Sequence, residues 1–285
     1  MNTMKLAVPL LIALAYGPSD GLAAPILAPD LASFAVLAAA GVTNVPVSTI
    51  GGNLGSAPNP SVGGGYIFTS GSFQQNTTLA QDAQIELDAA ILAVNAFGPG
   101  LLLGADLTGT IFPGTYTVPA GPTNLSGALI LDGQGDPNAV WVFLFPSTLI
   151  TSTTSTVNVI NVGSGAGVGI YWSVGSAATL NGNTFAGNVL AHDLISSDGD
   201  LTLGCGRLLS AETQVTLVHD NISIGCVGTG FGSGGFDQGV SIGSGGTGGS
   251  NGQIVNGVPE PATLALLGLS LAGLFTFRKG LFPVA

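Results

Sequence analysis

The chain has 285 residues, room for one large domain or two ordinary ones, and its 46% hydrophobic content is ample for a core. Only four basic residues stand against 15 acidic ones, giving a net charge of −11, and a surface that negative repels phosphate backbones, so nucleic acid is not expected as a partner. Charged residues of both signs make up only 7% of the chain. Most of the surface must therefore be Ser, Thr, Asn, Gly and small apolar side chains, as in secreted repeat and adhesion proteins more than in cytosolic enzymes.

Residues 1–23 read as a secretory signal peptide: Lys5 supplies the positive start, Leu6 to Ala15 the apolar core, and Gly21-Leu22-Ala23 a small-x-small cleavage site with the cut after Ala23. A buried helix here would be interrupted by Pro9 and by Gly17-Pro18. From Ile26 to Gly65 the chain is rich in Ala, Val and Gly, with turn punctuation at Val45-Pro46, Gly51-Gly52 and Ala57-Pro58-Asn59-Pro60, the pattern of short strands and bends.

One long helix is predicted over about Thr77 to Ala96, with Asn76, Thr77 or Thr78 available as N-cap and Gly98-Pro99-Gly100 as the stop. Leu79, Ala83, Leu87, Ala90, Ile91 and Val94 form one apolar stripe, while Ile85 and Leu92 lie on another side. A helix apolar on two sides is expected between two layers. It should lie along the flank of the domain, partly covered by the N-terminal segment.

After Ala105 the chain returns to short β runs: Thr115–Val118, Ala128–Leu131, Ala139–Phe145, Thr148–Ile150, Val157–Val162, then Asp200–Leu203 and Gln214–Val218. Within Val168–Ala191, the runs Tyr171–Val174, Ala178–Leu180 and Val189–Ala191 are separated by Gly, Ser and Asn every few residues. The turns come too often for α/β crossovers, so a solenoid of stacked β-coils fits better. Trp141 and Trp172 sit in two-sided apolar runs and are expected in the core. Cys205 and Cys226, the only cysteines, read in an exported chain as one disulfide closing the last coil.

Residues 24–227 thus form the β domain, residues 228–257 a Gly/Ser-rich linker, and residues 258–285 a distinct tail. In that tail Val258-Pro259-Glu260-Pro261 precedes the apolar run Ala262 to Phe277 and then Arg278-Lys279, a short transmembrane helix with a basic stop. The order of these parts resembles the PEP-CTERM sorting signal. That resemblance implies recognition of Val258, Pro259, Glu260 and Pro261 by a membrane-embedded exosortase. It also implies a membrane-anchored precursor, processed at the cell envelope or released outside, often where extracellular polysaccharide is made.

The body carries Leu31-Ala32-Ser33-Phe34-Ala35-Val36-Leu37-Ala38 with Gly41-Val42-Thr43, then Ile50-Gly51-Gly52-Asn53-Leu54-Gly55 and Gly114-Thr115-Tyr116. It also carries Leu131-Asp132-Gly133-Gln134-Gly135-Asp136-Pro137-Asn138-Ala139-Val140-Trp141-Val142-Phe143, and Gly187-Asn188-Val189-Leu190-Ala191 followed by Gly206-Arg207. Together these residues resemble the microbial ice-binding protein family. The resemblance implies a mainly β fold: a right-handed discontinuous β-solenoid of triangular cross-section with a long helix along one side. It further implies adsorption to an ice crystal surface by one flat face, with inhibition of ice growth and recrystallisation or attachment of cells to ice, and no cofactor or turnover.

Ice recognition needs a rigid, flat, nearly uncharged surface, because charged groups hold their own hydration shells too tightly to merge with a lattice. Thr suits it, with a methyl and a hydroxyl on a stiff branched Cβ, and a β-array sets the spacing in advance. The candidate ice-binding residues are Thr179, Asn181, Asn183 and Thr184, then Ser196, Ser197 and Thr202 one coil on. The run Thr148–Thr156 is a second candidate. The family's Thr-(Ala or Gly)-x-(Thr or Asn) pattern is irregular here: Asn leads in Asn181-Gly182-Asn183-Thr184, and Ser197-Asp198-Gly199-Asp200 brings two carboxylates.

Motifs with a catalytic look fail their context. Gly239-Val240-Ser241-Ile242-Gly243 has the form of a nucleophile elbow and residues 230–235 that of a dinucleotide fingerprint, but both fall in the linker without a strand before or a helix after. His192-Asp193 and His219-Asp220 are expected to point to opposite faces of extended strands. Two carboxylates in Asp198-Gly199-Asp200 fall short of the oxygens calcium needs, and no metal is expected. A solenoid lyase or hydrolase needs convergent acids or bases, yet Arg207 is the one basic residue of the domain. The alternative is a structural or adhesive envelope protein of the same fold, associated with polysaccharide and without ice activity.

Overall fold

The structure, a computed structural model, describes residues 26–162 and 168–225. The expected signal peptide (residues 1–23), the expected linker with its two catalytic-looking motifs, the expected sorting signal with its apolar run, and Cys226 lie outside the described residues.

Every strand pairing is parallel, and the chain winds in coils that build three faces. Face A contains, in spatial order, Phe73–Gln75, Asn53–Ser56, Phe34–Ala38, the second halves of Thr202–Ser210 and Thr184–Ala191, then Gly169–Val174, Val140–Phe145, Gly114–Thr117 and Leu101–Leu102. Face B is a separate sheet of Gly41–Asn44, Gln214–Leu217, Ile195–Ser197, Ala178–Leu180 and Leu149–Ile150. Face C contains Gly65–Ser70, Val47–Gly51, Asn221–Ser223, the first halves of Thr202–Ser210 and Thr184–Ala191, then Thr156–Ile160, Ala128–Asp132 and Gly109–Ile111. Two strands turn the corner from face C to face A through a register irregularity between Ala186 and Asn188. Gly187 is needed there: its φ is +97°, and a Cβ would come within 2.5 Å of the Ile170 side chain.

The solenoid is discontinuous. The first coil, Phe34–Ala38 with Gly41–Asn44 and Val47–Gly51, stacks on the last one, pairing with Thr202–Ser210, Gln214–Leu217 and Asn221–Ser223. The chain then runs along the stack in helix α2, Thr78–Asn95, and restarts at the far end. Thr77 caps α2, its Oγ1 accepting the Ala80 N–H at 3.3 Å.

The inward side chains of the three faces fill the central core, where Phe143 stacks on Trp172 at 4.4 Å and Phe185 follows at 4.8 Å. Trp141 and Trp172 are fully buried, with their indole N–H groups donating to the carbonyls of Ile111 and Ala186. A second core lies outside face A, where Leu37, Leu190, Leu209, Val142 and Tyr171 meet Ala80, Ala83, Leu87, Ala90 and Val94 of α2. The N-terminal segment covers part of α2, as expected, through a short helix α1, Pro29–Ala32. The Leu31 N–H donates to Glu86 at 2.7 Å, and the buried Arg207 donates twice to the Ala32 carbonyl and once to Asn188.

The two-layer expectation for the helix is corrected: Ile85 is 69% and Leu92 72% exposed among the described residues. The buried positions 80, 83, 87, 90 and 94 form a single stripe at helical spacing, and 85 and 92 fall off it. Leu87→Ala should therefore cost about 2–5 kcal/mol, whereas Ile85→Ala should stay within about 0.5 kcal/mol; urea denaturation of both variants checks this.

Candidate functional site

On face C alternate residues point outward, and pairing brings one outward residue per strand into line. Thr49, Asn221, Thr202, Thr184 and Thr156 stand side by side in register on adjacent strands. Ile67 continues the row at one end and Ala128 at the other. The side chains that follow, Ile50, Ile222, Leu203, Phe185 and Val157, are buried beneath it. Two residues along each strand come Gly51, Ser223, Gly204, Ala186 and Asn158, so a Thr-rich ridge runs beside a trough of small side chains. Parallel strands set the ridge repeat at about 4.8 Å. The strands of face C carry no charged residue except Asp132, at the far corner.

Face B presents a shorter row: Thr43, Thr216, Ser196 and Thr179 in register, ending in Ile150. Here the Thr43 hydroxyl donates to that of Thr216 at 3.2 Å. Face A is covered by α2.

The structure divides the sequence-derived candidates. Thr184 and Thr202 stand on the face C ridge, and Thr179 and Ser196 on the face B row. Asn181 and Asn183 occupy the bend between the two faces, where the buried Thr151 hydroxyl accepts the N–H groups of Asn181 and Gly182. Ser197 is corrected: it is 7% exposed and points inward, donating to Asp220 at 2.5 Å. In the strand Ile195–Ser197 an outward Ser196 forces its neighbours in. Of the run Thr148–Thr156, Thr151 and Ser155 are buried and Thr156 joins the ridge. Sequence reasoning missed Thr49 and Asn221, whose alternation is visible in the sequence but whose neighbours are not.

Charge sits at the corners. His219 meets Asp200 at 2.6 Å where face B turns into face C, not its neighbour Asp220. His192 meets Asp193 at 3.0 Å on a bend rather than a strand, so the expectation that they diverge is corrected. Hydrogen bonds from His192 and Ser176 hold the exposed Asp193 carboxyl below the usual range. The serine donates to the carboxylate and not to the imidazole, so this group lacks the order a nucleophile and base require.

Asp220 is buried at the same corner. Its carboxylate accepts Ser197 Oγ–H, Val218 N–H and Leu201 N–H, and its own N–H donates to Ser48 Oγ at 2.8 Å. Ser48 donates in turn to Asn44, whose amide reaches the Gly65 carbonyl. Burial nevertheless pushes the Asp220 carboxyl above the ordinary carboxylate range, against those hydrogen bonds and with a smaller push from Asp200.

The profile of the ice-binding-like family matches residues 36–223, nearly the whole solenoid. The chain belongs to the ice-binding-like family. It is 33% identical over 259 residues to an ice-binding protein of Nostoc sp. (strain HG1), an alignment that covers 87% of this chain and 84% of the relative. It is 27% identical to an ice-binding protein of Flavobacterium frigoris (strain PS1), covering 68% and 74%. Among solved structures, an ice-binding protein from the Antarctic ascomycete Antarctomyces psychrotrophicus matches with TM-score 0.58 and 29% identity over 68% of this chain and 95% of its own. One from an Antarctic biological consortium matches with TM-score 0.61 and 28% identity over 76% and 95%. These relatives share the β-solenoid, in agreement with the expected fold. The PEP-CTERM protein-sorting motif matches residues 257–279. Among the described residues no helix is long and apolar enough to cross a membrane.

A carboxyl whose pKa is raised by folding supports the fold fully below its unfolded pKa and loses that support as pH rises through the folded value. Asp220→Asn removes this titration, but its amide NH2 must face either the Leu201 N–H or the Val218 N–H, so the variant starts less stable and the wild-type margin over it should narrow as pH rises from about 4; paired thermal melts across pH 3–8 check the sign.

Proposed function

We propose that this ice-binding-like protein adsorbs to ice through face C, with the ridge of Thr156, Thr184, Thr202 and Asn221 as its centre. The observation that carries this reading is the register of those side chains over a buried apolar layer, on a face whose strands hold no charge short of Asp132. The hydroxyls and methyls are fixed by the sheet before contact, so binding orders little that was free. The trough beside the ridge is lined by Gly, Ala, Ser and Asn, side chains too small to disturb a water layer. Face B supports a second reading less well: its row is shorter, ends in Ile150, and spends a hydroxyl of Thr43 on Thr216. Asn181 and Asn183 are thus assigned to the rim of the site, and Thr179 and Ser196, on face B, lie outside it.

The sorting motif implies export to the cell envelope or surface. The proposal extends to the segments around the solenoid: residues 1–23 as the signal peptide, residues 228–257 as a spacer, and residues 258–285 as an exosortase substrate whose apolar run holds the precursor in the membrane. It also includes a Cys205–Cys226 disulfide, supported by the Cys205 N–H donating to the Gly225 carbonyl at 3.3 Å. Kinship does not favour the structural or adhesive alternative, and no comparison supports a polysaccharide partner.

Thermal hysteresis and ice recrystallisation inhibition of the purified protein test the site. Thr184→Tyr, which puts bulk on the ridge, should lower hysteresis several-fold, while Thr179→Tyr should leave it near wild type. The reverse pattern would move the site to face B, and a wild type without either activity would remove ice as the ligand.

A further inference from the structure

We infer that the ice-binding array crosses the break in the chain, with Thr49 of the first coil as a contact residue and the buried Asp220 as the positioning residue that keeps the crossing in register. The inference rests on face C being the ice-binding face and extends it into a segment 135 positions before Thr184 in sequence.

Strand Val47–Gly51 pairs with Asn221–Ser223 through Asn221↔Thr49 and Ile222↔Ile50. The Thr49 N–H donates to the Asp220 carbonyl and the Asn221 N–H to the Leu201 carbonyl, both at 2.8 Å, so the backbone ladder runs through the junction. The side-chain network beneath is placed one residue before the ridge on all three strands. Ser48 precedes Thr49, Asp220 precedes Asn221, and Leu201 precedes Thr202. Asp220 binds the other two, through its N–H to Ser48 Oγ and its carboxylate to the Leu201 N–H, and it adds Ser197 and Val218 from the face B side of the corner.

This crossing needs such a device more than any other. Along the rest of the stack, neighbouring coils are consecutive in the chain, and that continuity limits slippage. Between Val47–Gly51 and Asn221–Ser223 there is no such continuity. A slip of one residue would turn Thr49 inward and Ser48 outward, taking the ridge out of line with the first coil. It would also strip the buried network of its Ser48 link, leaving polar groups unpaired beneath the face. A hollow of about 240 Å³ fronts the crossing, lined by Val47, Thr49, Thr202 and Asn221 together with His219 and Asp200. It is bordered by ridge side chains of both coils.

The test uses the full chain and measures hysteresis near 0 °C, with circular dichroism at the same temperature to confirm folding. Thr49→Tyr should lower hysteresis several-fold with an unchanged melting temperature, as Thr184→Tyr does. Asp220→Ala should fold at 0 °C, melt earlier and lose part of the hysteresis. In that background Thr49→Tyr should cost little more, whereas Thr184→Tyr should cost as much as in wild type; a residue that only stabilised the fold would leave both effects intact. If Asp220→Ala does not fold, Ser48→Ala breaks the link at the first coil alone and should give the same non-additivity. Full activity in Thr49→Tyr beside a loss in Thr184→Tyr would overturn the inference and leave the array ending at Asn221. Full activity in both, in an ice-active protein, would mean that face C itself is wrong. Undiminished sensitivity to Thr49→Tyr in the Asp220→Ala and Ser48→Ala backgrounds would remove Asp220 from its role.

Discussion

The pairing of the first coil with the last governs the rest of this structure. Phe34–Ala38, Gly41–Asn44 and Val47–Gly51 supply one neighbour for a final coil that would otherwise end in a free edge on all three faces. A continuous solenoid folds as a near one-dimensional array in which each repeat answers only to its neighbours. Here the ends of the domain are in contact, so neither the N-terminal coils nor the last coil is complete without the other. Having paired there, the chain must return along the stack, from Phe73–Gln75 to Leu101–Leu102, a distance of eight rungs or about 38 Å. The 18 residues of α2 span about 27 Å, and the residues flanking the helix cover the remainder. The helix therefore follows from the break in the solenoid, and its apolar stripe makes face A a second core.

The charge distribution obeys the same plan. Arg207 is the one Lys or Arg among the described residues, and it is spent internally, on the last carbonyl of α1 and on Asn188. That places its positive charge at the C-terminal end of α1, where carbonyls gather, and fastens the N-terminal segment over α2. Among the described residues the exposed carboxylates sit on α2 or in turns between strands, where their hydration shells do not interrupt a strand array. Faces B and C are left to hydroxyls, amides and apolar side chains, the exposed Val47, Ile67 and Ile160 among them. The strands of faces B and C thus stay nearly free of charge in a chain of net charge −11, with the His219–Asp200 pair at the corner beside the ridge.

Much of this was legible in the sequence wherever the signal was local. Asn76, Thr77 or Thr78 as cap, of which the structure uses Thr77, and Gly98-Pro99-Gly100 as stop bounded the helix because capping and chain-breaking depend on the residues themselves. Trp141 and Trp172 were placed in the core by the apolar runs around them. Ser197 was misplaced for want of the period-two rule: beside an outward Ser196 it had to turn in. Ile85 and Leu92 were given a partner layer that the described residues do not supply, because the apolar stripe was drawn wider than the one face the helix buries.

The sequence by itself determined that this is an exported, mainly β chain of short strands, poor in charge, with one long helix and a surface of Thr, Ser, Asn and Gly. Those properties are sums over single residues and their near neighbours. Only the tertiary structure decided which hydroxyls stand together. Thr49, Asn221, Thr202, Thr184 and Thr156 are aligned by hydrogen bonds between strands, and the bond from Thr49 to Asp220 spans nearly the whole domain. Register is a relation between distant strands, fixed by the burial of Ile50, Ile222, Leu203, Phe185 and Val157 in one shared core and by the carboxylate of Asp220 at the corner, and no local pattern encodes it.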